Sequence, residues 1–366
     1  MTGRRGPAKL GVGAGRSGRL SDRGLELALL LGAILICVFG YAETALALTG
    51  KLPAGMATTC VAAAVLPLVC HVVIRRFAPH ADPLILPLAT LLSGLGLVLI
   101  HRLDLAYAAH YHHATAAASG QLMWCAIAVM VFAAAVALLR DHRRLQRYPY
   151  VTITMGLVLL MAPAFYPGDV YGAKRWIFIG PLSLQPGEFA KIILAVFFAG
   201  YLMVKRDALA LASRRFMGLY LPRGRDLGPI LVVWFVSILI LVFETDLGTS
   251  LLFFGMFVIM LYVATERTSW IVFGLLMSAA GAVGVASFEP HVQQRVQAWL
   301  DPMHEFMLSR QGVGGHTEQS MQALWAFGSG GTLGTGWGQG HSELIRFAAN
   351  SDFILASFGE ELGLAG

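Results

Sequence analysis

Charge is what this chain has least of. Asp, Glu, Lys and Arg make up 13% of its 366 residues, where a soluble globular chain carries about 25%. Apolar residues make up 57%. That balance excludes a water-soluble domain and marks an integral membrane protein. The four cysteines, Cys37, Cys60, Cys70 and Cys125, stand in apolar stretches without a CxxC spacing. Neither a zinc site nor a disulfide framework is indicated, and they read as small buried hydrophobes. No cleavable signal is evident, because the first apolar run is too long and lacks a small-residue cleavage pattern. The stretch GAGRSG at 13–18 matches GxGxxG but follows no predicted strand, and no glycine-rich stretch ends in GK[ST]. Dinucleotide and ATP sites are therefore not indicated.

What is present is a series of apolar runs. Candidate spans cover about 25–48, 55–74, 83–101, 121–139, 150–166, 185–204, 228–244, 247–264 and 270–288, and a tenth begins at Asp352. Each is close to the roughly 20 residues that cross a bilayer. The expected fold is all-α: a polytopic membrane helix bundle of about ten transmembrane helices with a large extracytoplasmic loop. Residues 1–24, rich in Gly and Arg without an apolar period, read as a disordered cytoplasmic tail. Residues 25–366 form the membrane domain.

The net charge of +6 bears on topology before it bears on ligands, and makes no case for nucleic acid. With the amino terminus inside, nineteen Lys or Arg fall in cytoplasmic segments. Seven fall outside: Lys51, Arg102, Lys174, Arg175, Arg295, Arg310 and Arg346. This is the positive-inside bias. It leaves two large outward segments, 167–184 and 289–351.

The first outward segment carries Lys174 and Arg175 beside Trp176, a basic and aromatic cluster suited to a lipid-linked phosphate, or to plain interfacial anchoring. In the following span Glu188 and Lys191 stand at i, i+3 and can pair, which lowers the cost of burying either charge. Asp246, in FETDLGTS, falls at an outer turn, where it can start a helix or act as an intramembrane acid. In 289–302, Val292, Val296 and Trp299 recur at helical spacing between two prolines. A short amphipathic helix on the membrane surface is predicted there, with Arg295 facing headgroups or a substrate phosphate.

The stretch 327–340, FGSGGTLGTGWGQG, has seven glycines and reads as a flexible loop that lets a large substrate approach the backbone. Asn350 and Ser351 are good caps, so Asp352 is expected in the first turn of the last helix. There the helix dipole and outer water favour its ionised form while apolar surface opposes it, the balance a general base needs; a plain capping role is the alternative. Glu360, roughly 12 Å deeper by helical rise, needs a cation or hydrogen-bond partner. Glu361 points elsewhere around the helix. His110, His112 and His113 cluster in a loop, a weak signal for metal.

Taken together, YGAKRWIFIG, QPGEFAK, ETDLGTS, QQRVQAWLDP, GSGGTLGTGWGQG and SDFILASFGEELGLAG resemble the FtsW/RodA/SpoVE family of shape, elongation, division and sporulation (SEDS) proteins, in order and spacing across about 150–366. The resemblance implies a multi-pass protein of the cytoplasmic membrane that polymerises lipid II into glycan strands on its outer face, for cell elongation or division, with a class B penicillin-binding protein as partner. It implies Asp352 as the catalytic base. Lys174, Arg175 and Arg295, with Arg346 as a weaker choice, are the candidates for the substrate's diphosphate. Glu188, Lys191, Asp246 and Glu360 are placed in structural or cavity-lining roles. No dedicated metal ligands are seen, although a divalent cation, Mg or Mn, bridging the diphosphate and a carboxylate is compatible with the charge pattern.

The sequence departs from the family pattern at Gly187 for the usual Ser, at Thr245 for the usual Pro and at Asn350 beside the base. Residues 25–74 supply two helices that the shortest members lack. The family's further helices and its PLPFVSYGGSS-like segment have no counterpart up to Gly366, so a chain lacking its last helices is expected. Two other functions compete: a lipid II flippase, which should line a path through the membrane with charge, and a non-catalytic membrane scaffold for a transpeptidase.

Overall fold

The computed structural model describes residues 22–366 except 112–116, 140, 142, 144, 146, 147, 167–175, 180, 181, 211–213, 217, 218, 222, 223, 244–246, 289 and 311–317. Helices dominate, as apolar runs in a bilayer require: only structures that satisfy their own backbone hydrogen bonds survive there. The chain forms two compact units, residues 1–140 with 295–366, and residues 141–294.

The first unit opens with four long helices, α1 (Asp22–Thr49), α2 (Met56–Phe77), α3 (Ile85–Tyr111) and α4 (Ala117–Leu138). Helix α1 packs along α3, and α2 along α4. Gly94 of α3 admits the Cys37 side chain of α1; a Cβ there would lie 2.4 Å from its sulfur. At one end of α1 the buried Glu26 accepts from Arg23 and meets Nδ1 of the buried His71 of α2 at 2.8 Å. Arg23 also donates to the carbonyls of Pro79 and Ala81, each at 2.8 Å, which ties α1 to the turn after α2. Helices α11 (Pro302–Arg310), α12 (Glu318–Gly330) and α13 (Ile354–Leu362) complete this unit, with a 3₁₀ segment, Ser342–Ala348, before α13. The amphipathic stretch becomes α10 (Pro290–Leu300), with Val296 and Trp299 exposed.

The second unit holds α5 (Pro149–Met161), α6 (Pro186–Ala210), α7 (Gly224–Phe243), α8 (Leu247–Thr265) and α9 (Ser269–Phe288). Its core is a cluster around Phe197, Phe198, Phe253 and Phe257, with Trp270 against it. Two short antiparallel hairpins, β1 (Ile177–Ile179) with β2 (Leu182–Leu184) and β3 (Arg214–Phe216) with β4 (Leu219–Leu221), were not expected from the sequence. Three-residue strands are too short for an alternating pattern to stand out among apolar neighbours.

Among the described residues, six helices are long and apolar enough to cross a membrane, α1 to α4, α6 and α8, and three shorter apolar helices lie in 149–165, 231–240 and 269–281. These match nine of the expected spans. The tenth appears as α13, nine residues long. Helix α3 runs ten residues beyond the expected end of its span, and so takes in Arg102, which the topology count had set in an outer loop.

Candidate functional site

The 3₁₀ segment, the turn that follows it and α13 are held by one small core. Ile345, Ala349 and Ala356 are buried with Leu103 of α3 and Ala323 and Ala326 of α12, and Tyr107 and Phe353 pack against them. The Tyr107 hydroxyl donates to the Arg346 carbonyl at 2.6 Å, and the Ala349 N–H donates to the same oxygen at 3.0 Å. Arg346 is thereby held at φ 66°, ψ −142°, a region where a side chain is strained by roughly 1–3 kcal/mol. Its side chain is exposed.

Asp352 is exposed on a backbone whose neighbours are anchored. Ala349 and Ala356 on either side are buried, and Phe353 caps the core. The carboxylate does not sit in the first turn of α13, as expected. The helix starts at Ile354 with Phe353 at its N-cap and no side-chain cap. Asn350, Ser351 and Asp352 form the preceding turn, closed by the Ile354 N–H to the Ser351 carbonyl at 3.3 Å. Phe353, partly buried, packs against the core one residue after Asp352, and the helix begins directly beyond it.

Glu360 and Glu361 are both buried, and they solve the problem of buried charge differently. Glu360 accepts the His341 N–H and the Ser342 hydroxyl, each at 2.8 Å. Glu361 accepts Nε of Arg102 at 2.7 Å and the Gly338 N–H at 3.1 Å. Arg102, 1% exposed, also donates to Glu343 and to the Gly340 carbonyl. Burial pushes the Glu343 carboxyl up, but the charge and hydrogen bonds of Arg102 outweigh it and hold it below the usual carboxylate range. Thus Glu360, expected to need a cation or a hydrogen-bond partner, is met by hydrogen bonds, and a cation from α3 serves Glu361 and Glu343. Neither Arg102 nor Glu343 was singled out from sequence; the one available signal was an arginine in an apolar run four residues beyond Val98, which marks a residue needing a partner.

The glycine-rich stretch is a correction to expectation. Its glycines do not form an open loop for substrate but let the backbone of α13 come close. A Cβ at Gly330 would lie 1.9 Å from the Gly359 carbonyl oxygen, and one at Gly334, φ +81°, would lie 2.2 Å from that of Glu361. The Thr335 and Gly336 N–H groups donate to the Glu360 and Glu361 carbonyls at 2.9 Å, and Leu364 and Ala365 donate back to Gly331 and Thr332 at 3.0 Å. Trp337 and Gly338 also lie against Gly40 and Thr44 of α1.

Of the other predicted residues, Lys191 donates to Glu188 at 2.6 Å, the i, i+3 pair expected at the start of α6. Glu188 is about half exposed, so the pair is not a buried one. Arg295 is exposed on α10. Lys174, Arg175, Asp246, His112 and His113 lie outside the described residues, as does the side chain of His110. Among the described residues no three His, Cys, Asp or Glu converge as a metal site would require.

Comparison with known proteins bears on this arrangement. The family described as "Cell cycle protein", FtsW/RodA/SpoVE, matches residues 82–366. "Peptidoglycan glycosyltransferase RodA" of Mycobacterium leprae is 46% identical over 298 residues, 81% of this chain and 62% of the relative. The protein of the same name from Mycobacterium tuberculosis (strain ATCC 25618 / H37Rv) is 45% identical over 299 residues, with the same coverage. The chain therefore spans about 62% of the length of these curated relatives. A structure titled "Structural coordination of polymerization and crosslinking by a peptidoglycan synthase complex" aligns with a TM-score of 0.42 at 20% identity, over 83% of this chain and 70% of that one.

Proposed function

Because the chain belongs to the FtsW/RodA/SpoVE family, we propose that it is the membrane part of a peptidoglycan glycosyltransferase that polymerises lipid II at the outer face of the cytoplasmic membrane, with Asp352 as its general base. The observation that carries this reading is an exposed carboxylate on a backbone locked by Ala349, Phe353 and Ala356. A base must be accessible to the substrate yet held to a fraction of an ångström, and this combination supplies both. The relatives named as peptidoglycan glycosyltransferases support it.

In the proposed reaction Asp352 takes the proton from the acceptor sugar hydroxyl as that oxygen attacks the donor's anomeric carbon. The bond to the lipid diphosphate breaks, and the diphosphate leaves with the electron pair. Cations must stabilise the leaving anion. Arg346, exposed on the same anchored segment six residues before the base, takes first place among the candidates, ahead of Arg295, Lys174 and Arg175. A magnesium or manganese ion would supply further neutralisation of the diphosphate. Asp352, exposed on this segment, is the residue that would hold such an ion together with the substrate's own phosphates. A class B penicillin-binding protein is the proposed partner, and the distribution of basic residues supports an amino terminus inside.

The buried charges weigh against the flippase reading. Arg102, Glu343, Glu360 and Glu361 are engaged with one another and with the backbone, and so do not line an open path.

The full-length protein, reconstituted in proteoliposomes with a class B penicillin-binding protein and given lipid II, should yield glycan strands. Asp352→Ala should lower the rate by about 10²–10⁴-fold, the usual contribution of a general base. Equal polymerisation by the two would remove Asp352 from the reaction. Translocation of lipid II without strands from wild type would replace the enzyme reading with the flippase.

A further inference from the structure

Helices α1 to α4 line a half-open cavity of about 650 Å³, within the range of small-molecule sites. It arises from sequence: small side chains on the facing helices, Ala63, Ala64, Ala89, Ala118 and Ala128 among them, leave the space that larger residues would fill. Its walls are mainly apolar, and all four cysteines of the chain line it. Two of its walls, α1 and α2, lie outside the residues matched by the family, and the other two, α3 and α4, lie within them.

One end is polar. Tyr41 in the second half of α1, Thr59 near the start of α2, His101 and Asp104 in the second half of α3, and Ser119 near the start of α4 lie together there, as the antiparallel order of the helices requires. The His101 ring stacks on Tyr41 with centroids 4.5 Å apart. Asp104 accepts the Ala117 and Ala118 N–H groups at 3.2 and 2.8 Å. Among the described residues, the buried Nε2 of His101 has no hydrogen-bond partner. A buried polar atom of this kind is destabilising unless something bonds to it. Lower down, Pro67 cannot donate to the carbonyl of Ala63, and both residues line the cavity.

We propose that this cavity binds a neutral lipid alcohol, its hydrocarbon chain along the apolar walls and its hydroxyl on Nε2 of His101. The apolar walls favour the hydrocarbon chain of an amphiphile over water. Charge selects the headgroup. Among the described residues no Lys or Arg lines the cavity, and Asp104, whose carboxylate stands at the polar end, repels an anion. A phosphate or diphosphate lipid would lie there without a counter-charge, so the site is distinct in chemistry from the one that must hold a lipid diphosphate.

Two photoactivatable probes test this, a diazirine-bearing long-chain alcohol and the alkyl phosphate with the same chain. Each is added to the detergent-purified protein. The alcohol should crosslink to peptides of α1 to α4 and slow N-ethylmaleimide modification of Cys37, Cys60 and Cys125 by about fivefold or more; the phosphate should do neither. His101→Leu should weaken crosslinking by about two- to tenfold, the worth of one hydrogen bond, and Ala63→Phe should abolish it. The thiol readout uses the unaltered chain, so it stands if a variant fails to fold. Equal crosslinking and protection by the phosphate would overturn the headgroup assignment. Crosslinks outside α1 to α4, or thiols unprotected by the alcohol, would overturn the site.

Discussion

A buried arginine with three acceptors is a demanding residue. Arg102 uses Nε on Glu361, one terminal nitrogen on Glu343 and the other on the Gly340 carbonyl. The planar fork of a guanidinium can meet three directions at once, and an ammonium cannot. Arg102→Met should therefore destabilise the first unit by about 3–5 kcal/mol, because two carboxylates are left buried without a cation. Adding Glu343→Gln and Glu361→Gln should recover most of that, and melting temperatures in detergent check both. A triple variant no more stable than the single one would mean that packing, not charge, decides the loss. The strain at Arg346 is a second effect at this scale. Arg346→Gly removes both the cation and the strain, whereas Arg346→Ala removes only the cation. The glycine variant should be more stable than the alanine one by about 1–2 kcal/mol, while both lose polymerisation if this residue meets the diphosphate.

At the scale of elements, α12, the glycine stretch and α13 act as one interlocked piece. Two glycines of α12 separate close approach from mere composition. A Cβ at Gly328 meets nothing within 4 Å, but one at Gly330 strikes the Gly359 carbonyl. Gly328→Ala should be neutral or stabilise by about 0.5–1 kcal/mol, as alanine does in a helix. Gly330→Ala should destabilise by more than the roughly 1–3 kcal/mol of ordinary overpacking, because the obstacle is backbone rather than a side chain that can turn aside. Thermal unfolding of the two variants side by side is the measurement, and equal melting temperatures would show that α12 and α13 are not in contact. This contact also links the element to the proposed chemistry: what moves α13 moves the turn that carries Asp352.

For the whole molecule the prediction concerns sidedness. A cysteine at Asn350, exposed beside Asp352, should react with an impermeant maleimide added to intact cells. One at Thr268, exposed between α8 and α9, should react only after the membrane is opened. The reverse pattern would place the base on the cytoplasmic side and end the proposal for lipid II polymerisation outside.

The membrane class and nine of the ten expected spans were legible in the sequence, because each rests on local composition: an apolar run of sufficient length must bury its own backbone hydrogen bonds wherever it lies. The pair Glu188 and Lys191 was legible for the same reason, since i, i+3 spacing on a helix brings the two together without help from elsewhere. Asp352 was legible as an acid at the head of a helix. That it stands before the helix, on a turn fixed by Phe353, was not. The partner of Glu361 could not be matched to it from sequence, because Arg102 is 259 residues away. The tertiary structure alone decided that pairing, the use of the glycines to admit α13 rather than a substrate, and the cavity in which four scattered cysteines meet. Each depends on how distant helices pack, and local pattern carries no record of that.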